Sequence, residues 1–250
     1  MHKFFVSKDN IVNNTAYISG EDVKHIYKVL RLEAGDKISI NNCEGEEFLA
    51  EIESVNKEQV QARIIEKLLL NNESKLDIYL FQGFPKASKM DLIVQKATEL
   101  GVKKIIPVFT ERVVVKNKQG ESKKVDRWRR ISKEACKQCK RSVIPEIECP
   151  LEFDDMLKIL PDMDLILVPY ENEENLGIKK LSSYIDRDKI KKIAIIIGSE
   201  GGFSEEEITC LKDLGANIVT LGPRILRTET AGFVAISLLM YEFGDLGGLN

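Results

Sequence analysis

Two loops hold the residues best suited to chemistry. The first, Gly198-Ser199-Glu200-Gly201-Gly202-Phe203, follows an apolar run ending at Ile197. Its three glycines allow tight turns and close approach of backbone to a ligand. Ser204 and Glu207 then stand at the spacing of a capping box, which predicts a strand, a loop and a helix in succession. Glu200 and the three glutamates at 205–207 would repel an anion at that helix N-terminus, so a neutral or cationic ligand is expected rather than a phosphate. The loop matches neither a Walker sequence nor a GxGxxG fingerprint, and a plain chain reversal would also use glycine. The second loop, Leu221-Gly222-Pro223-Arg224-Ile225-Leu226-Arg227-Thr228-Glu229-Thr230-Ala231, runs into the last apolar stretch. An arginine in a first helical turn opposes the macrodipole, so Arg227 asks for a functional role or for an ion pair with Glu229.

Such loops need a sheet to hold them. From Leu76 onward, apolar runs alternate with helical patterns, the mark of a mostly parallel α/β sheet covered on both faces. Strands are predicted at Ile78–Phe81, Lys104–Val108, Leu165–Val168, Ile193–Ile197 and Ile218–Leu221, and helices near 87–100, 125–140, 204–214 and 228–242. Both chemical loops then lie beyond carboxyl ends of strands, where ligands of open α/β sheets bind. Residues 1–70 read differently, as short runs at 37–40, 48–52 and 59–64 separated by turns, the pattern of a small β-barrel. One helix interrupts them, with Val23, Ile26, Tyr27 and Leu30 on one face. The polar stretch 70–75 is the expected linker, so two domains are expected, 1–70 and 76–250.

The 250 residues carry 43% hydrophobic and 31% charged side chains and a net charge of −3, so nucleic-acid binding would need a local basic patch. Lys123–Arg141 is the densest such segment, with a solvated face as its other reading. Trp128 in that helix could stack on a base but suits core packing better. Five scattered cysteines give no disulfide framework; Cys136 and Cys139 have CxxC spacing without a second pair, so no metal is expected. No membrane span is expected. The first residues lack an apolar signal region, and a cytoplasmic location is the expectation.

Together the two loops, with His25-Ile26-Tyr27-Lys28-Val29-Leu30-Arg31 and Gln95-Lys96-Ala97-Thr98-Glu99-Leu100-Gly101-Val102, resemble the signature of the RsmE family of 16S ribosomal RNA uridine-N3 methyltransferases, of the SPOUT class. The resemblance covers nearly the whole chain. It implies a PUA-like barrel in front of a catalytic domain whose last third forms a deep trefoil knot around S-adenosyl-L-methionine (AdoMet). It places Leu167, Val168, Gly198, Glu200, Gly201, Gly202, Leu221, Gly222, Ile225, Leu226 and Ala231 around that cofactor, with 167–170 as the first knot loop. Lys3, Lys28, Arg31, Lys86, Lys89, Arg112 and Arg141 become the RNA contacts, and the partner is the RNA of the small subunit. Ser199 stands where the family pattern has proline, which should loosen the turn. His2-Lys3 replaces Pro-Arg, so Lys3 loses the bidentate reach of arginine.

Uridine N3 carries a proton and is a poor nucleophile until it leaves, so the reaction asks for a base and for a charge that stabilises the anion. Arg227 is assigned the anion, and Glu229 acts as base or orients Arg227. A flipped-out target base is expected. The apolar last helix, with Phe233, Val234, Ile236, Leu238, Leu239 and Tyr241, suits the homodimer that the resemblance implies or a monomer's core. A sister SPOUT enzyme acting on a ribose hydroxyl or on transfer-RNA guanine, and a non-enzymatic RNA-binding protein, are the alternatives.

Overall fold

Alternating burial builds the first of two units. A computed structural model describes residues 1–69, 72–86, 88–113 and 121–248, so Leu70 and Asn71 of the expected linker, and Ala87, lie outside the described residues. In β3 (Thr15–Ser19) and β6 (Gln59–Leu68) every second residue turns inward, bringing Ala16, Ile18, Val60 and Ala62 into one core. With β1 (Lys3–Phe5), β2 (Ile11–Val12), β4 (Lys37–Asn41) and β5 (Glu47–Val55) they form a sheet in the order β1-β4-β5-β6-β3-β2. Only β1 and β4 pair in parallel; register shifts at Leu49/Ala50 and Ile52/Ser54 between β5 and β6 help the sheet curl round its core.

The helix α1 (Glu21–Lys24) continues as a π-helical stretch, His25–Leu30, and ends at Arg31 with φ 53°. The expected apolar face is only partly realised. Val23 and Ile26 are buried, but Tyr27 is 47% exposed, because the wider π-turn rotates it off the α-helical stripe.

The unit also includes Cys136–Ile144, which the expected boundary at 70 leaves out. The segment is held by polar groups from far along the chain. Glu73 accepts the Ser142 and Val143 N–H groups at 2.7 and 3.0 Å and pairs with Arg141 at 2.8 Å. Lys3 donates to the Lys140 carbonyl at 3.0 Å and pairs with Glu47, Asn41 donates to the Ser142 carbonyl at 2.9 Å, and Lys137 meets Asp22 at 2.7 Å.

The second unit comprises Ser74–Ala135 and Pro145–Asn250. Its strands are continuous apolar runs buried on both faces: β7 (Asp77–Gly83), β8 (Lys104–Phe109), β11 (Leu165–Pro169), β12 (Lys192–Ile197) and β13 (Asn217–Val219), with short edge strands β9 (Glu146–Ile147) and β10 (Leu151–Glu152). All pair in parallel, in the order β10-β8-β7-β12-β11-β13, with β9 also on β8. One core lies on each face of the sheet.

Helices α2 (Lys89–Glu99), α3 (Glu121–Cys139), α4 (Phe153–Leu157), α5 (Ile178–Ser182), α6 (Glu205–Asp213) and α7 (Thr228–Phe243) fill the connections, with α7 packed on α2 and α5. The strand expected over 218–221 stops at Val219, releasing Thr220 and Leu221 into the loop. Trp128 is buried in the core beside Phe84. Among the described residues no helix is long and apolar enough to cross a membrane, and no cluster of three His, Cys, Asp or Glu is arranged to hold a metal. Burial pushes the Cys136 thiol up to about 12, so it stays protonated and inert.

Candidate active site

The loop after β12 is a closed turn. The Gly202 N–H donates to the Ser199 carbonyl at 3.0 Å, and Ser199, buried, reaches the Arg112 carbonyl at 3.5 Å through its hydroxyl. These contacts are what the turn has in place of the φ restraint that proline would supply. Gly202 sits at φ +68°, the left-handed region that favours glycine, and a Cβ on it would stand 3.0 Å from Glu171 Oε1. Ser204 caps α6 in a complete capping box with Glu207, as the spacing predicts. Glu207 also accepts the Glu111 N–H at 2.9 Å, filling the helix end where an anion would otherwise sit.

The loops after β11 and β13 enclose an open cleft of about 520 Å³ lined by 169–171, 173, 174, 220–226 and Ala231. The Thr220 N–H donates to the Leu176 carbonyl at 2.9 Å, and Thr220 bridges Gly177, so the two loops are tied side by side. Of the expected cofactor residues, Leu221, Gly222, Ile225, Leu226 and Ala231 line this cleft; Ile225 is 88% exposed at its wall. Leu167 and Val168 do not line it. They are wholly buried inside β11, which runs two residues past the expected loop start, so Pro169 and Tyr170 take the lining position. Gly198, Glu200, Gly201 and Gly202 stand beside it, joined through the Gly202 approach to Glu171. Glu171, Glu173, Glu174 and Arg224 line the cleft and were not anticipated, because nothing in an acidic surface turn distinguishes it from a solvated one.

A charged cluster adjoins the first turn of α7. Lys89 Nζ lies 3.0 Å from Glu200 Oε1 and 3.3 Å from Glu229 Oε2, a buried oxygen that accepts no hydrogen bond. The Lys86 N–H donates to Glu200 at 3.1 Å. Partial burial works to raise the Glu200 carboxyl, but the hydrogen bonds from Lys89 and the Lys86 N–H prevail and hold it below the ordinary carboxylate value. In return, the Glu200 hydrogen bond holds the Lys89 ammonium above the ordinary lysine value against its own burial, with Glu229 adding to the effect.

Arg227 is the N-cap of α7, with extended φ and ψ, and does not lie inside the first turn; its exposed side chain has no partner among the described residues. Of the two readings of Arg227, the ion pair with Glu229 is absent among the described residues; Glu229 pairs with Lys89. Lys89, expected on RNA, is part-exposed and pairs with two carboxylates, Glu200 and Glu229.

Other expected RNA contacts divide by exposure. Lys28, Arg31, Lys86 and Arg112 are exposed, and Arg112 Nη1 donates to the Gly201 carbonyl at 3.3 Å. Lys3 and Arg141 are not free to meet a phosphate: their side chains are 7% and 6% exposed and paired with Glu47 and Glu73. The basic helix α3 is likewise partly used up internally, by Arg127–Asp91 at 2.6 Å, Lys124 over the Phe84 ring and Lys137–Asp22.

A parallel sheet whose carboxyl-end loops form a phosphate-averse cleft, in a chain that also carries a small curled β-sheet unit, defines a two-unit α/β protein with a ligand site in its second unit. Family models agree in detail: residues 72–240 match an RNA methyltransferase domain and residues 18–65 an RNA methyltransferase PUA domain. The chain is 36% identical to the Ribosomal RNA small subunit methyltransferase E of Bacillus subtilis, with 99% of each chain covered. Two solved structures are similar over nearly their whole length. One is a putative methyltransferase of Legionella pneumophila in complex with the bound cofactor SAM (TM-score 0.86, 36% identity, 98% of each chain). The other is a Ribosomal RNA small subunit methyltransferase E of Neisseria gonorrhoeae bound to S-adenosyl methionine (TM-score 0.86, 30% identity, 98% of this chain and 99% of that one). The chain belongs to this RNA methyltransferase family.

Proposed function

We propose that the chain transfers a methyl group from AdoMet to N3 of a uridine in the 16S RNA of the small ribosomal subunit. One juxtaposition carries the reading: a cleft lined by three carboxylates lies against a helix start bearing an arginine without a partner among the described residues and a partly buried carboxylate, Glu229. The donor set suits the cofactor. Three carboxylates against one cation favour a ligand that bears positive charge and no phosphate, and about 520 Å³ is a small-molecule volume. Leu221, Gly222, Ile225, Leu226 and Ala231 would hold it, with Gly198, Glu200, Gly201 and Gly202 closing one side and Leu167 and Val168 backing the strand beneath. When bound, its sulfonium supplies an electrophilic methyl group.

The chain's own residues supply alignment and charge. Arg227 stabilises the negative charge that develops on the uridine once N3 gives up its proton. Glu229 takes that proton, and Lys89 holds its carboxylate in place. Lys28, Arg31, Lys86 and Arg112 bind RNA phosphates, while Lys3 and Arg141 shape the first unit. The family resemblance implies that the last third of the chain is threaded as a SPOUT-type trefoil knot, and the tied loops at Leu176–Gly177 and Thr220 lie within that region. Leu238 and Tyr241, three residues apart on α7 and exposed while Ala235, Ile236 and Leu239 are buried, support a homodimer through that face. Sedimentation at micromolar concentration should give a dimer, and a monomer mass would remove it. A ribosomal substrate is the support for a cytoplasmic location.

The direct test incubates the protein with labelled AdoMet and small subunits from a strain lacking the enzyme, then identifies the methylated nucleoside. N3-methyluridine is expected. Label on a ribose or another base would overturn the assignment in favour of a sister enzyme.

A further inference from the structure

Beneath the site lies a hydrogen-bond chain that the reading above does not use. Gln82, wholly buried at the end of β7, donates through Nε2 to its neighbour's carbonyl, Gly83 O, at 3.1 Å and to Thr228 Oγ1 at 2.8 Å. Thr228 Oγ1 lies 2.6 Å from the Gly198 carbonyl. The directions are forced. Gly83 O and Gly198 O can only accept, so the amide nitrogen must face Gly83, and the single hydroxyl proton of Thr228 must go to Gly198. Thr228 Oγ1 is thereby left to accept from Gln82. The amide oxygen of Gln82 is turned away toward α7, near Gly232, where it has no partner.

The chain joins three distant parts of the sequence: the end of β7, the first residue of the loop after β12 and the first residue of α7. It grips the peptide between Gly198 and Ser199 from both sides. Thr228 holds its carbonyl, while Gly83 lies so close that a Cβ there would stand 2.4 Å from Ser199 N. Buried, aligned hydrogen bonds of this kind set geometry more than they add stability. A shift in this peptide displaces the Glu200 loop on one side, and a shift in Thr228 displaces Arg227 and Glu229 on the other.

We propose that Thr228 and Gln82 are positioning residues, coupling the loop at 198–202 to the first turn of α7 so that Arg227 and Glu229 are placed only when that loop is in place. The proposal rests on the methyl-transfer reading. Three variants test it in the full-length protein: Thr228→Val, which keeps shape and removes the hydroxyl; Thr228→Ser, which restores it; and Gln82→Met, which keeps bulk and removes the amide. The readouts are melting temperature, calorimetric affinity for S-adenosylhomocysteine and methylation kinetics split into kcat and KM.

Thr228→Val and Gln82→Met should lower kcat about tenfold, the effect of one misplaced hydrogen-bonded group, and weaken S-adenosylhomocysteine binding about threefold, half a kcal/mol or so. Thr228→Ser should recover both and melt close to wild type, whereas Thr228→Val and Gln82→Met, which leave buried partners unpaired, should melt a few degrees lower yet stay folded at the assay temperature. Equal losses in Thr228→Ser and Thr228→Val would assign the effect to packing and overturn the proposal, as would kcat and affinity within twofold of wild type in Thr228→Val. A wild-type protein that methylates some other nucleoside would sink the uridine reading alone, since the same variants can be compared on that product. If it methylates nothing, the affinity arm still decides.

Discussion

Two of the clusters of lysine, arginine and carboxylate, one in each unit, are built alike and used differently. In the first unit, Lys3–Glu47, Arg141–Glu73 and Lys137–Asp22 form closed sets: each cation meets a carboxylate, and neighbouring backbone groups fill further positions on Lys3 and Glu73. In the second, Lys89 is shared between Glu200 and Glu229, and Arg227 stands without a partner among the described residues; a buried carboxylate oxygen that accepts no hydrogen bond occurs in both clusters, Glu47 Oε2 in the first and Glu229 Oε2 in the second, so Arg227 carries the contrast. Closed sets hold a fold, whereas charge left open at the rim of a cleft is available to a reacting group. Residue type does not distinguish the clusters; closure does.

Breaking a closed set should cost most. Arg141→Ala leaves the Glu73 carboxylate facing a buried site without its cation, and urea unfolding of the full chain should show a loss of about 3 kcal/mol. A loss under half that size would mean that Glu73 escapes to solvent and that the set is not closed. Next comes Gly83→Ala. Its Cβ would collide with Ser199 N, so the strand end or the loop must shift, at about 2 kcal/mol. The same variant should weaken S-adenosylhomocysteine binding in calorimetry, which a purely local strain would leave alone.

Opening the already open cluster should cost least. Glu200→Gln removes a pair that is a quarter exposed, worth at most about 1 kcal/mol. The sign with pH is fixed by the direction of each shift. The Glu200 carboxyl is held low, so its contribution is present above the ordinary value of 4.5 and disappears as pH falls through the lowered one. The Lys89 ammonium is held high, so its share is lost only as pH rises past 10.5. The stability gap between wild type and Glu200→Gln should be flat around neutrality and close in acid. A gap that persists in acid would remove the ion pair as its cause.

The sequence was most legible where one element needed no distant partner. The apolar runs at 78–81, 104–108 and 193–197 lie inside the observed strands, because a strand buried on both faces must be apolar throughout. The capping box at Ser204 was equally local. Short strands such as Lys3–Phe5 and Leu151–Glu152 left no periodic trace, since two or three residues pair only because a neighbouring strand is there. Tyr27 was misplaced because a π-turn breaks the spacing that an α-helix keeps.

Lys3 and Arg141 read as free basic residues for a different reason: the Glu73 partner of Arg141 lies 68 residues away, and only folding brings the pair together. The cleft itself was half visible. Glycine, proline and arginine at 222–227 announced a loop with work to do, but Glu171, Glu173 and Glu174 on the facing wall looked like any acidic turn.

The contrast between the clusters is tested most directly by the single-turnover rate of uridine methylation at saturating AdoMet in Arg227→Ala, beside its melting temperature. A catalytic, structurally idle Arg227 predicts a rate lower by about a hundredfold or more, as for loss of one transition-state charge donor, with melting unchanged. A wild-type rate, or a rate loss that merely follows a fall in melting temperature, would contradict it.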